Sequence, residues 1–248
     1  MNALRAELLK AVTTRLLLWF CVGLLALLVL VLSIHLGSND PDTLRELSTQ
    51  RATMAFGGIA AIVSVLIGSM LVTAEYAHGT INQSFLAVPV RGRLLGAKLV
   101  AALLVVLGLA LAADAATLLL AELWFHGRGL TLHLSRETLA PLLGVVGASL
   151  LAGGIGVGLG ALVRRQTATI VAILLWLLIG EGVITTAGDV ARFAPGHALG
   201  AVVAAHVDGS RDVLGVWGAV SVGLLYVAAF CAAGFLVVLA SDVPSGGD

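Results

Sequence analysis

Six runs of this chain are long and apolar enough to cross a bilayer, at about 15–36, 52–73, 98–123, 141–163, 168–187 and 213–240. Little freedom of fold remains to such a chain. Hydrocarbon offers no hydrogen bonds, so each segment must satisfy its own backbone, and a helix does that at least cost. The expectation is an all-α membrane protein with six transmembrane helices, forming a single domain over 1–248. Charged side chains make up 11% of the residues, against about a quarter in soluble domains. The run at 16–32 follows Arg5, Lys10 and Arg15. It exceeds the roughly 7–15 residues of a signal-peptide core and no A-x-A site follows, so it reads as an uncleaved span.

Lysine and arginine placement sets the orientation. With the N-terminus inside, the inner side carries Arg5, Lys10, Arg15, Arg91, Arg93, Lys98, Arg164 and Arg165. The outer side carries Arg45, Arg51, Arg128, Arg136, Arg192 and Arg211. The bias is eight against six, with the inner charges clustered beside span ends, and six spans then put both termini in the cytoplasm. Formal net charge is zero, which gives no sign of a nucleic-acid partner.

Three segments outside the spans have a pattern. In 1–14, Leu4, Leu8, Ala11 and Val12 recur at helical spacing with Arg5, Glu7 and Lys10 between them, as in a helix lying in the inner interface. Residues 188–212 are too apolar for a plain loop and too short to span twice. Pro195 and Gly196 interrupt them, which suits two short re-entrant helices in the outer leaflet.

The third segment, 74–98, joins spans two and three on the inner side. Glu75 stands where span two leaves the membrane. Gly79 permits a turn and Thr80 is suited to cap a new helix. Ile81 and Phe85 then share a face, and Pro89 stops the helix. Arg91, Arg93 and Lys98 follow, placed to meet lipid phosphates or an acidic partner. By itself the segment fits a docking helix or a solvated loop with an incidental aromatic.

Several chemistries are excluded. The chain has two lysines, Lys10 and Lys98, and neither follows a glycine, so it has no Walker A loop. There is no H-E-x-x-H and no G-x-S-x-G. His35, His78, His126, His133, His197 and His206 are dispersed, and Cys21 and Cys231 lie in apolar runs. No metal or catalytic centre is expected on this chain. Two acids fall within spans, Asp114 and Glu181. Each must face protein or water. Either lines a path, or makes an interhelical hydrogen bond, Asp114 with Thr117 or Ser149. In the fourth span Gly154 and Gly158, and Gly156 and Gly160, recur one turn apart, which allows close backbone packing, expected within one protomer.

The run Glu75, Gly79, Thr80, Pro89, Arg91 and Lys98 resembles the signature of the type-2 ABC transporter permeases, six-span exporter subunits. "LRAELLKAVTTR" is similar to that family's connecting helix, 162–184 to its fifth span and preceding turn, and "FAPGHALGAVV" to its re-entrant outer region. His78 departs from the pattern, since many members carry arginine there. The resemblance implies a permease dimer, of this chain with itself or a related one, in a bacterial-type inner membrane. Two copies of a separate ATPase, which bind ATP and Mg, would sit beneath it. Glu75, His78, Gly79, Thr80, Ile81, Phe85, Pro89, Arg91 and Arg93 would form the coupling element. Glu181, Asp114, Pro195 and Gly196 would line or gate the path. The chain itself would be no enzyme and hold no cofactor. A gradient-driven transporter and an intramembrane enzyme are the alternatives.

Overall fold

The computed structural model describes residues 2–81, 83, 86, 90–204 and 214–240, with the side chains of Asn2 and Arg91 left aside. Among them every regular element is helical. In order these are α1 (Asn2–Thr13), α2 (Arg15–Ser38), α3 (Pro41–Arg45), α4 (Leu47–Ala55), α5 (Ile59–Ala77), α6 (Arg91–Gly127), α7 (Arg136–Val163), α8 (Gln166–Leu175), α9 (Glu181–Thr185), α10 (Pro195–Ala204) and α11 (Val216–Ala240). A 3₁₀ turn at Phe56–Gly58 joins α4 to α5, and a π-helical stretch at Trp176–Gly180 joins α8 to α9.

Six helical stretches have the length and apolarity of a span: Arg15–Ser38, Leu47–Ala77, Gly92–Gly127, Arg136–Val163, Gln166–Thr185 and Val216–Ala240. All six expected spans are present. The second, third and fourth begin five or more residues earlier than apolarity alone indicated. α6, at 37 residues, is about 55 Å long against a hydrocarbon core of about 30 Å, so its ends continue outside the membrane. At the start of α7, the Ser135 side chain accepts from Thr138 N at 3.2 Å, a cap that starts the helix ahead of its apolar run.

α7 is the hub. It packs against α5 on one side and α11 on the other, and its glycines let backbones touch. A Cβ at Gly156 would collide with Val65 O, and one at Gly158 would lie 2.5 Å from the Phe230 carbonyl carbon. The glycine stripe therefore packs within the protomer, as expected. α2, α5 and α6 form a second core through Leu28, Ala60, Ile67, Val106 and Leu109. α2, α8 and α11 leave most of their surface to the surroundings.

The two ends of the bundle differ. One gathers α1, the end of α5, the start of α6 and the end of α11, where Val72, Leu95 and Val238 pack together. This is called the near end. The far end carries α3, α4, the 128–135 loop and α10. Leu36, Leu44, Phe125 and Leu130 close a small core there, and Gln50 bonds Leu44 O at 3.2 Å and His133 N at 2.9 Å. Within 188–204 the expected two short helices are a 3₁₀ turn at Gly188–Phe193 and α10. Residues 205–212 lie outside the described residues.

Candidate functional site

The near end is built around four charges from three helices. Its starting point is α1, whose inward stripe is Leu4, Glu7, Leu8 and Ala11, the i, i+3, i+4, i+7 pattern of one helix face, with Glu7 and Ala11 buried and the two leucines half-buried. Glu7 was expected on the polar face with Arg5. Instead it sits in the middle of the inward stripe, at 7% exposure, and Val12, expected on the apolar face, is 59% exposed. The reason is a partner. Lys98, about two turns into α6, is 1% exposed and donates to Glu7 Oε2 at 2.7 Å. Its ammonium also lies 2.9 Å from Glu75 Oε1. Lys10 donates to the same Glu75 oxygen at 2.7 Å and to Glu7 Oε1 at 2.9 Å.

Two lysines thus cross-link two glutamates, and the cluster is neutral overall. This corrects the sequence reading of Lys98, which assigned it to lipid phosphates or an acidic partner. Burying a lysine is costly unless it is paired, and two carboxylates hold it. Burial lowers the Lys10 pKa, but its bonds to Glu75 and Glu7 outweigh that and leave it raised above the ordinary 10.5.

Glu75 also sets the end of α5. Gly79 adopts the left-handed conformation (φ 67°), Thr80 N donates to Glu75 O at 2.9 Å, and Gly79 N to Tyr76 O at 3.3 Å. That pair of bonds is a Schellman stop, which needs a residue tolerant of positive φ. The turn expected at Gly79 is present. His78 is exposed, and its Nδ1 meets Ala74 O at 2.7 Å. Among the described residues the Glu75 carboxylate pairs with lysines and not with His78. Ile81, Gln83 and Leu86 are helical, α6 starts at Arg91, and Arg93 is exposed. Phe85 and Pro89 lie outside the described residues, as does the Arg91 side chain.

At the far end, Glu181 organises a second cluster. The π-helical stretch brings residues five apart into register, so Trp176 Nε1 donates to Glu181 Oε1 at 2.6 Å. The indole packs over Gly180, where a Cβ would come within 2.8 Å of it. The same Oε1 accepts Gly196 N at 2.7 Å, and Oε2 meets His197 Nδ1 at 2.7 Å. Pro195 and Gly196 open α10. Glu181 thus caps the start of α10 from another helix, at the end of the dipole that favours an anion. Three of the four expected path residues, Glu181, Pro195 and Gly196, meet here.

Asp114 stands apart, 7% exposed in α6. The 3₁₀ turn lets it approach, since a Cβ at Gly57 would lie 3.1 Å from Asp114 Oδ1. The expected bond to Thr117 or Ser149 is not made. Thr117 donates to Ala113 O at 2.8 Å, and Asp114 Oδ1 and Ser149 Oγ have no partner among the described residues. A serine or threonine inside a helix satisfies itself on the preceding turn more readily than across a gap.

Beneath the Glu181 cluster lies a cavity of about 700 Å³, bounded by α5, α7, α8, α10 and α11. Ala61, Val65, Ile155, Ile173, Trp176 and Tyr226 line it, with Pro195 and Gly196 at its edge. It is almost wholly apolar, suited to an apolar or amphiphilic molecule rather than an ion. The described residues contain no group of histidine, cysteine or acid side chains spaced to hold a metal.

Of the residues singled out from the sequence, Glu75 and Gly79 lie together at the near end, and Glu181, Pro195 and Gly196 at the far end. Glu7 and His197 were not singled out as their partners. The available signal for Glu7 was its place in the Leu4–Leu8–Ala11 stripe. A family model described as ABC-2 family transporter protein matches residues 3–187, well over half of the chain. No curated protein matches it at a significant level.

Proposed function

Since this chain belongs to the ABC-2 transporter family and is a multi-pass permease subunit of an ABC transporter, we propose that it forms the translocation path of an ATP-driven exporter. It works as a dimer, with itself or a related permease, on two copies of a separate ATPase. That partner binds ATP and Mg and performs the hydrolysis. The near end faces the cytoplasm of a bacterial-type inner membrane, with both termini inside. Residues 75–93 carry the coupling element, in which Ile81 and Phe85 meet the ATPase and α1 lies in the interface beside it.

The observation that carries this reading is the four-charge cluster of Glu7, Lys10, Glu75 and Lys98. It braces α1, α5 and α6 at the two roots of the coupling segment, Glu75 before it and Lys98 after it. A push on that segment is delivered to three helices together. The hub helix α7 passes it to α11, and the apolar cavity beside α5 and α8 opens or closes. At the far end Glu181 holds α10 over that cavity as an outer gate, and Asp114 lines or stiffens the path at the Gly57 turn.

The test is Ile81→Glu with Phe85→Glu. The double variant should keep the thermal midpoint and elution volume of the wild type, and should fail to co-purify the ATPase or stimulate its hydrolysis. Normal co-purification with normal stimulated hydrolysis would refute the coupling role. Transport in vesicles driven by an ion gradient, without nucleotide, would favour a secondary transporter instead.

A further inference from the structure

The cavity under α10 refuses more chemistry than its apolar walls alone imply. Among the described residues lining it there is no lysine, arginine, histidine, aspartate or glutamate. Three lining side chains carry a hydrogen-bonding group, Thr169, Trp176 and Tyr226, and each has a single donor to give. All three donors are spent elsewhere. Thr169 Oγ1 donates to Arg165 O at 2.9 Å, Trp176 Nε1 to Glu181 Oε1 at 2.6 Å, and Tyr226 OH to Phe193 O at 3.0 Å. At the α10 edge Pro195 has no N–H, and Gly196 N is taken by Glu181 at 2.7 Å. What remains for a ligand is hydrocarbon, the rings of Trp176, Tyr226 and Phe230, and the lone pairs of two hydroxyls.

Those limits choose among occupants. An anion would find no donor in the lining side chains. A cation would find aromatic faces but no carboxylate, and ring contacts offset less than the cost of burying an unpaired charge. A peptide would bury its amides unbonded. A phospholipid would lend an acyl chain only by leaving its phosphate without a charged partner in the lining. An uncharged, hydrocarbon-rich molecule gives up no hydrogen bond by entering and gains dispersion and ring contacts. Ala148 and Val163 of α7 both line the cavity, so it runs about 22 Å along that helix, which suits an extended molecule.

We propose that this cavity binds one uncharged, hydrocarbon-rich molecule and that the exported substrate belongs to the same class. The substrate half rests on the exporter reading above. The binding half does not.

The test is photolabelling of the full-length chain in phosphatidylcholine nanodiscs by an isoprenoid diazirine ending in a methyl ether, with labelled peptides mapped by mass spectrometry. Labelling should saturate at one probe per protomer and fall on peptides covering 148–163, 169–177 and 226–230. The untagged ether should displace it at least tenfold better than the same isoprenoid ending in phosphate or trimethylammonium, at equal membrane-bound concentration. A Cβ at Gly200, which also lines the cavity, would meet nothing within 4 Å. Gly200→Leu therefore adds a side chain without displacing one, and should lower labelling at least fivefold at unchanged elution volume. If that variant does not fold, Ala172→Phe at an exposed lining position should do the same. Labelling that does not saturate, which would mean exchange with bilayer acyl chains, would overturn the site. So would equal displacement by the charged analogues, or labelling unchanged in whichever variant folds. In the assembled transporter the ether should raise ATP hydrolysis at least twofold. Binding without that rise would overturn the substrate half. A wild-type chain that recruits no ATPase would strike the exporter reading, and the substrate half with it, while the binding result stands.

Discussion

A glutamate near a span end anchors each end of this bundle, and the two are anchored differently. Glu75 sits 9% exposed between two lysines that also grip Glu7. Glu181, at 14%, meets one indole, one backbone N–H and a histidine that is 35% exposed. The near cluster is a network of full charges drawn from three helices. The far cluster holds the first turn of one ten-residue helix. Removing a member of the first strands a buried charge. Removing a contact of the second frees a short element that already borders a cavity. In the proposed transport cycle the near end moves as one body and the far end lets go.

The largest effect should follow from stranding the near cluster. Lys98→Met removes the most buried cation and leaves Glu7 and Glu75 sharing Lys10. A loss of about 3–5 kcal/mol is expected, read as a fall in thermal midpoint of the detergent-purified protein. A change within experimental error would show that the network contributes nothing and dissolve the contrast.

Glu181→Ala comes next. It deletes a charge-assisted cap, with an expected cost of about 1.5–3 kcal/mol. The loss should be local, read as faster hydrogen exchange in α10 with little change in α1 or α5. Glu181→Gln keeps an acceptor for Gly196 N and loses only the charge, so it should cost about 1 kcal/mol or less. If the Gln variant is as damaging as Ala, the far cluster depends on charge as the near one does.

The smallest effect concerns pH. Lys10 has a raised pKa, so its folded state is favoured while the amine is protonated. The contribution is fully present below its ordinary pKa of 10.5 and is lost as pH rises through the higher folded value. Since Lys10 is half exposed, solvent screens the gain. The melting advantage of wild type over Lys10→Met should be constant from pH 7 to about 9 and vanish only above about 10.5. An advantage that disappears near neutrality would assign it to another group.

Much of this contrast was legible before any coordinates. Six apolar runs dictate six helices, because lipid allows little else. Gly79 signals its turn, and Pro195 and Gly196 mark the start of α10. What was not legible depended on partners far along the chain. Glu7 and Lys98 are separated by 91 residues, and a lysine at the start of a span looks like an inside-facing charge until its counter-ions are placed around it. Span ends extended beyond their apolar cores for the same reason, since paired and capped polar residues continue a helix that hydropathy alone would stop. Glu181 was visible as an acid in a span. Its capping of α10 depends on a π-helical register that no simple periodicity encodes.

The most direct measurement is hydrogen exchange on the assembled transporter, comparing the resting state with one trapped by a non-hydrolysable ATP analogue. If the near end moves as one body and the far end releases, peptides covering 2–13, 71–80 and 92–100 should keep their protection while 188–204 loses it. Loss of protection in the near-end peptides with 188–204 unchanged would contradict the account.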